Sequence, residues 1–460
     1  MKASRTHGTA TERLFDYLQQ LTYSSLPAST LTAAKCFMLD SIGVGISGSR
    51  VDRVSEVKAA THLWGHAEQA QVWTTGEWLP ATSAALINAY QIHNQEWDCL
   101  QEGAVVHPMA TILSALMAFG QRHSVSGQQL VLGLVAGVDI ATIIGQSATS
   151  ALKFFRPSVC GCLGASAGIC VMMGIKGERL KNALGIAYSQ LSGTMQAHVE
   201  GSPTLAMQVG FNAQNAIMAV DMAEAGFAGP HDILEGPFGY FSLFEDGYDL
   251  APFFTQLGQQ FQIETLSHKP FPTGRAAHGT IEALQTLQQR HGFSAGDIMA
   301  VEVLAPPLVN RLVNRPVLND MDVNYAKLCN GFIGATTLLT GGVGVNDFDS
   351  EHRHDAQRLA LAKKFTMQQN SIVDANALAP IEVTVRLNNG ATYQIELRHI
   401  LGHPQHPLTI EQQLEKFHRA CASAQRPFTS QQIDKLINSI DAIEQIPNIN
   451  NVIKQMVGEL

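Results

Sequence analysis

The stretch AALINAYQIHNQEWDCLQEGAVVHPMATILSALM, residues 84–117, decides how the chain is read. Both ends are apolar in helical fashion: Ala84, Ala85, Leu86, Ile87 and Ala89 on one side, Ile112, Leu113, Leu116 and Met117 on the other. Between them, from His93 to Pro108, stand His93, Glu96, Asp98, Cys99, Glu102 and His107. No other window holds so many titratable groups of such different types. Polar groups on a connection between two buried helices are held rigidly yet face a cavity, which is where sites tend to lie.

Pro108 fits the first turn of a helix, where its missing N–H costs nothing. That places His107 at the N-cap, where the helix dipole favours a bound anion and disfavours imidazolium. A neutral His near an anion site is what a general base requires. Glu96 and Asp98 flank Trp97, and a carboxylate against an indole can have its pKa raised and serve as an acid. The plainer readings are a structural hydrogen-bonding His107, a satisfied core His93, and carboxylates that cap or form ion pairs. His93, Glu96, Cys99 and His107 have metal-ligand chemistry, but their spacing matches no zinc pattern, so no metal is expected.

Outward from this stretch the pattern stays helical. Helices are predicted over 10–24, 30–48 (capped by Ser29 or Thr30), 127–150, 159–174 and 178–195. The 159–174 segment is rich in small residues, Gly161, Gly164, Ala165, Ala167 and Gly168, which suits the centre of a bundle. Residues 50–80 are irregular, with a strand-like piece at Gln71–Thr74. From about 267 the character changes: a helix over 278–291, a strand over Met299–Leu304, and a strand pair at 380–397 around the turn NNG. Helices at 409–422, 429–441 and 448–458 follow and are expected to pack back on the first part. The fold expected is therefore mainly α. One large helical domain is formed by residues 1–266 and 401–460, and a smaller α+β domain, 267–400, is inserted in it.

Composition narrows the function. With 460 residues, 45% hydrophobic and only 15% charged, the chain reads as a large core, probed by few charges, with a subunit interface hiding more surface. A net charge of -9 and the lack of a basic run exclude nucleic acid as a partner. Seven cysteines without a CxxC pair suit reduced thiols in a cytoplasmic protein, and Cys99 reads as a buried thiol. The start of the chain is polar and then amphipathic, unlike a signal peptide, and no apolar run approaches the ~20 residues that span a bilayer. No dinucleotide, P-loop or nucleophile-elbow signature occurs, so no cofactor is expected. Two further cation groups could hold carboxylates: Arg156 in KFFRPS, and His268, Lys269 and Arg275 in HKPFPTGR at the domain junction.

Six motifs in order then resemble the MmgE/PrpD family: LDSIGVGISG (39–48), HNQEWD with EGAVVHP (93–108), GASAG with LKNALGIAYSQLSG (164–193), AGFAGPHDILEGPFGYF (225–241), HKPFP (268–272), and GHPQHPLT with KF (402–417). The resemblance spans nearly the whole chain. It implies a helical domain built from both chain ends, a smaller α+β lid domain and a homodimer. The activities it implies are 2-methylcitrate dehydratase, cis-aconitate decarboxylase or iminodisuccinate epimerase. The family pattern His-x-x-Asp-Phe-Asp-Asp-Thr reads here as His93, Glu96, Trp97, Asp98, Cys99 and Leu100. A family His appears as Arg156, a Thr-Lys with a later His as Thr204–Leu205 and Gln208, and a Tyr as Phe332. His107, Asp98 and Lys269 survive.

These reactions remove a proton or CO2 next to a carboxylate of a small di- or tricarboxylic acid. The expected roles are His107 as base or acid, Asp98 and Glu96 orienting it or acting as second acid–base group, and Lys269, Arg156, Arg275 and His93 contacting substrate. The expectation is a hydro-lyase of the 2-methylcitrate dehydratase type. An epimerase or isomerase comes second, and a family member that binds a carboxylate without catalysis third.

Overall fold

The computed structural model describes residues 9–51 and 53–458. The first helix, α1 (Ala10–Gln20), begins at a capping box: the Thr9 hydroxyl accepts from the Glu12 amide and the Glu12 carboxylate accepts from the Thr9 amide. α2 (Ala28–Gly48) starts after Pro27. The expected cap at Ser29 or Thr30 does not form, because both hydroxyls donate to Glu264 instead. α3 (Arg53–His62) was not expected; it buries only Val54 and Thr61, too little to leave an apolar stripe. The strand-like piece nearby is a short antiparallel ribbon, β1 (Ala70–Gln71) with β2 (Trp78–Leu79).

Seven helices follow: α4 (Ala81–His93), α5 (Pro108–His123), α6 (Gly127–Gln146), α7 (Arg156–Met173), α8 (Gly177–Tyr188), α9 (Gln196–Glu200) and α10 (Thr204–Glu224). α7 lies at the centre, packed on α5, α6, α8 and α10. Its glycines make this possible. A Cβ on Gly164 would sit 2.5 Å from the Gly137 carbonyl oxygen, and one on Gly168 2.6 Å from that of Gly133, so α6 and α7 approach backbone to backbone. By length and composition α6 and α7 are apolar enough to cross a membrane, contrary to the expectation that no run is long enough. Both are largely buried inside the protein.

The inserted part carries a four-stranded sheet of order β4-β3-β5-β6, from β3 (Ile298–Ala305), β4 (Phe365–Gln369), β5 (Ile381–Leu387) and β6 (Thr392–Leu397). β5 alternates buried and less buried residues, as a strand with one covered face must. The helices His278–His291 and Asn330–Thr340 cover that face. β4 joins the edge parallel to β3 and was not foreseen: FTMQQ has no fully buried residue and only two apolar side chains, Phe365 and Met367, too short an alternation to mark a strand.

The chain end returns to the helical part. Helix Ile410–Ala422 packs on α2, the Gly127 amide donates to the Ile446 carbonyl at 2.9 Å, and the Thr74 amide to that of Met456 at 2.8 Å. The fold is thus mainly α, a helical domain made from both ends of the chain around a smaller α+β insertion.

Candidate active site

α4 ends at His93 and α5 starts after His107, so the loop between them must turn back on itself. It does so through a bridge: the Gln101 amide donates to the Val106 carbonyl at 2.9 Å, and the Gln101 side chain accepts from the Ala104 amide at 2.6 Å. Leu100 pairs with Ser267 through two backbone hydrogen bonds of 3.1 and 2.7 Å. This pairing carries the start of the inserted domain, and Lys269 with it, onto the loop. Beneath, Lys416 from the C-terminal helix donates to the Trp97 carbonyl at 3.0 Å and pairs with Asp40 at 2.6 Å. Three separate parts of the chain therefore fix one connection.

His107 stands at the N-cap of α5 with Pro108 in the first turn, as its spacing predicts. Asp98 is fully buried and holds both histidines by one oxygen. Its Oδ2 accepts from His93 Nδ1 at 2.8 Å and lies 3.2 Å from His107 Nδ1. The two rings meet edge to face with centroids 4.9 Å apart. Lys269, also fully buried, lies 3.0 Å from Glu96 Oε2 and 3.7 Å from Asp98 Oδ1. Glu96 reaches it from a left-handed backbone conformation, φ 54°, which a non-glycine residue adopts only at some cost.

The electrostatics follow from this packing. Burial pushes the His107 ring below its usual pKa, and the nearby Asp98 charge only partly restores it. Burial also pulls on His93, but its closer Asp98 contact prevails and holds its pKa above the usual value. Two imidazoles that share a carboxylate are thereby driven in opposite directions.

The carboxylates behave contrary to expectation. Burial alone would raise Glu96, yet Lys269 and the two imidazoles bring it down to about 2. The same three groups hold Asp98 well below the usual range. The Trp97 indole does not raise either; it lies among Val44 and Ala420, with the Lys416 ammonium 5.6 Å from its ring. Neither carboxylate is an acid at neutral pH.

The other cations are placed differently from their expected roles. Arg156 is buried at the start of α7, but its Nε and Nη2 both bind Glu245 at 2.8 Å, Nη1 donates to Asn376 Oδ1 and Nη2 also to the Ser150 carbonyl. It does not line the cavity beside the histidines. Arg275 does line it, with Nε and Nη2 on Glu102 at 2.9 and 2.8 Å and its remaining donors on the carbonyls of His268, Ile400 and Leu401. His268 is no cation: stacked on Phe37 and buried, it is pushed down to about 4.

His93, Asp98 and His107 put ligand atoms within 4.8 Å of one another, as a metal site would. Cys99 takes no part; its thiol is buried toward Ser41. Lys269, 3.7 Å from Asp98, opposes a second positive charge there.

The histidines open on a small cavity of about 60 Å³ between the two domains. Leu100 and Leu205, two positions where the resemblance implies polar residues, both line it. So does His198, on α9, which sequence reasoning missed. Burial and the neighbouring Arg315 push His198 down to about 4. Nothing in the local pattern around His198 marks it, since its partner Arg315 is far along the chain.

The model of the MmgE/PrpD N-terminal domain matches residues 12–252, and that of the MmgE/PrpD C-terminal domain residues 271–442. The chain belongs to the MmgE/PrpD family. Its similar proteins include a cis-aconitate decarboxylase-like protein of Aspergillus oryzae, 25% identical over 99% of both chains. The cis-aconitate decarboxylase of Mus musculus is 24% identical over 98% of this chain and 94% of its own. That of Aspergillus terreus is 23% identical over 96% and 95%.

Proposed function

We propose that this MmgE/PrpD protein is a cofactor-independent lyase that removes water from a small carboxylic acid. Family membership and the decarboxylase relatives support a lyase-type reaction on a carboxylic acid. Dehydration is carried by one observation: two cavity-lining imidazoles share the Asp98 carboxylate and are biased to opposite protonation states. Such a split is how a fold assigns a base and an acid at neutral pH.

In this scheme neutral His107 takes the proton from the carbon next to a carboxylate. The C–H electron pair forms the double bond, the C–O bond at the adjacent carbon breaks, and the hydroxide leaves as water with a proton from the His93 imidazolium. The buried Nε2 of His93 has no hydrogen bond within the protein, so its donor is not committed elsewhere. Asp98 fixes the Nδ1–H tautomer of His93 and lies 3.2 Å from His107 Nδ1, and the two imidazoles with Lys269 hold Asp98 ionised. Positioned proton transfer of this kind contributes about 10²–10⁴-fold.

Decarboxylation is the second reading, favoured by the relatives' activity. It needs only the acid: the C–C bond to a carboxylate breaks, CO2 leaves, the electron pair stays on the substrate as a carbanion, and the His93 imidazolium protonates it. Proton NMR of the protein with 2-methylcitrate, citrate, cis-aconitate and iminodisuccinate in D2O separates the readings. New olefinic signals with no CO2 release establish dehydration. Itaconate signals with CO2 establish decarboxylation and overturn the dehydratase reading, and α-deuteration without elimination does so in favour of an epimerase.

A further inference from the structure

We infer that the acid taken by this site carries one or two carboxylates and an apolar alkyl or aryl substituent, and is not a tricarboxylate. The inference rests on the lyase reading only in taking the histidine-lined cavity as the substrate site.

Hydrocarbon dominates the cavity wall. Leu100, Val105, Leu152, Phe155, Leu205 and Leu378 line it, from four separate stretches of the chain. A substrate that placed three carboxylates there would strip them of water against leucine and phenylalanine, with no hydrogen bonds in return. An alkyl or aryl group would instead remove apolar surface from water on both sides.

The cations near the site do not offset such charge. Each one the sequence offers as a carboxylate clamp is already matched inside the protein: Lys269 by Glu96, Arg275 by Glu102 and Arg156 by Glu245. Arg275 has every guanidinium N–H engaged, so it could receive a substrate carboxylate only by giving up a bond it now makes. The His93 charge is likewise matched by Asp98.

Two further cations, half-buried Arg315 and buried Lys327, are bound to neutral groups instead. Arg315 donates to His198, a cavity-lining residue, and its Nη1 is buried without a hydrogen bond. Lys327, next to the cavity-lining Leu328, donates to the Asn94 carbonyl at 3.1 Å. Neither lines the cavity itself; their two charges, one residue behind its wall, match one or two carboxylates and no more. A third would face Glu96 on the cavity wall with nothing opposite it.

Calorimetric titration of the full-length protein with methylsuccinate, propylsuccinate, phenylsuccinate and tricarballylate tests this. None of the four has a hydroxyl to eliminate, so binding is read apart from turnover. Going from methyl to propyl is expected to tighten binding about fourfold per added methylene, the ratio that ~0.8 kcal/mol gives. Tricarballylate is expected to bind at least tenfold more weakly than propylsuccinate. Leu205→Lys is expected to reverse that order. Tricarballylate binding as tightly as propylsuccinate to the unaltered protein, no gain with chain length, or no binding by any of the four overturns the inference. A protein that binds the ladder as expected but forms no olefin in D2O from the hydroxylated counterparts of these succinates, the alkyl- and arylmalates, would overturn the lyase reading alone.

Discussion

Asp98 Oδ2 lies 3.2 Å from His107 Nδ1, at the N-terminus of α5, while the same oxygen is bonded to His93. One buried carboxylate thus fixes the tautomer of His93 and stands within reach of His107 Nδ1. His107→Ala is expected to lower kcat about 10²–10⁴-fold while circular dichroism stays unchanged, because His107 sits on the cavity side of a helix already capped by packing. Asp98→Asn is expected to lower kcat by at least ~10²-fold and also to reduce stability, since its loss leaves the His93 imidazolium without a counter-charge while Lys269 keeps Glu96. Full turnover by His107→Ala on the acid identified by NMR would end the scheme.

The opposed pKa shifts predict a bell-shaped pH profile. His107 must be neutral, and burial lowers its pKa, so kcat/KM rises with pH through an apparent pKa below the ordinary 6.5. His93 must be charged, and Asp98 raises its pKa, so the rate falls at an apparent pKa above 6.5. The two limits belong to the coupled pair and not to either ring alone. Initial rates across pH 5–9 check this, and His93→Gln is expected to remove the alkaline limb. A profile that falls steadily from acid to alkaline pH would mean that the reaction needs an acid only, as decarboxylation does.

Arg156 separates a structural pairing from a substrate contact. It is 1% exposed and bidentate with Glu245, so Arg156→Met leaves a buried carboxylate uncompensated and is expected to cost about 3–5 kcal/mol in urea unfolding. Adding Glu245→Gln is expected to recover part of that loss. KM of the folded fraction is expected to stay within about twofold of the unaltered protein, because Arg156 does not line the cavity. A tenfold rise in KM without loss of stability would restore the role that its place before a small-residue helix first implied.

Local chemistry was legible from the sequence and long-range pairing was not. The N-cap position of His107 follows from one neighbour, Pro108, and the central place of α7 from its own run of small residues. Helix 278–291 and strand 381–387 declare themselves by their own periodicity. The Glu245 that neutralises Arg156 is 89 residues away, and the Lys269 that lowers Glu96 is 173 away. Nothing in HNQEWD says which cation will land on it, so the sequence argument from Trp97 pointed to a raised carboxylate when the fold delivers a lowered one. β4 escaped for a related reason: an edge strand takes its place from its partner, and FTMQQ alone carries no buried face.

The lowered Glu96 also makes stability depend on acid. Its ordinary pKa of 4.5 describes the unfolded chain, and the fold brings it to about 2 beside Lys269. Above 4.5 both states are ionised and the Lys269 contact contributes in full. As pH falls from 4.5 toward 2, the unfolded state takes up a proton that the folded state refuses, so the contribution is lost progressively over that window. Glu96→Gln removes the titration. The gap between the urea midpoints of the two proteins is therefore expected to be widest at pH 7 and to narrow by pH 3. A gap that stays constant from pH 7 to pH 3 would show that Glu96 is not held ionised by Lys269. The proposed role of Lys269 in keeping the Asp98 cluster charged would then fail with it.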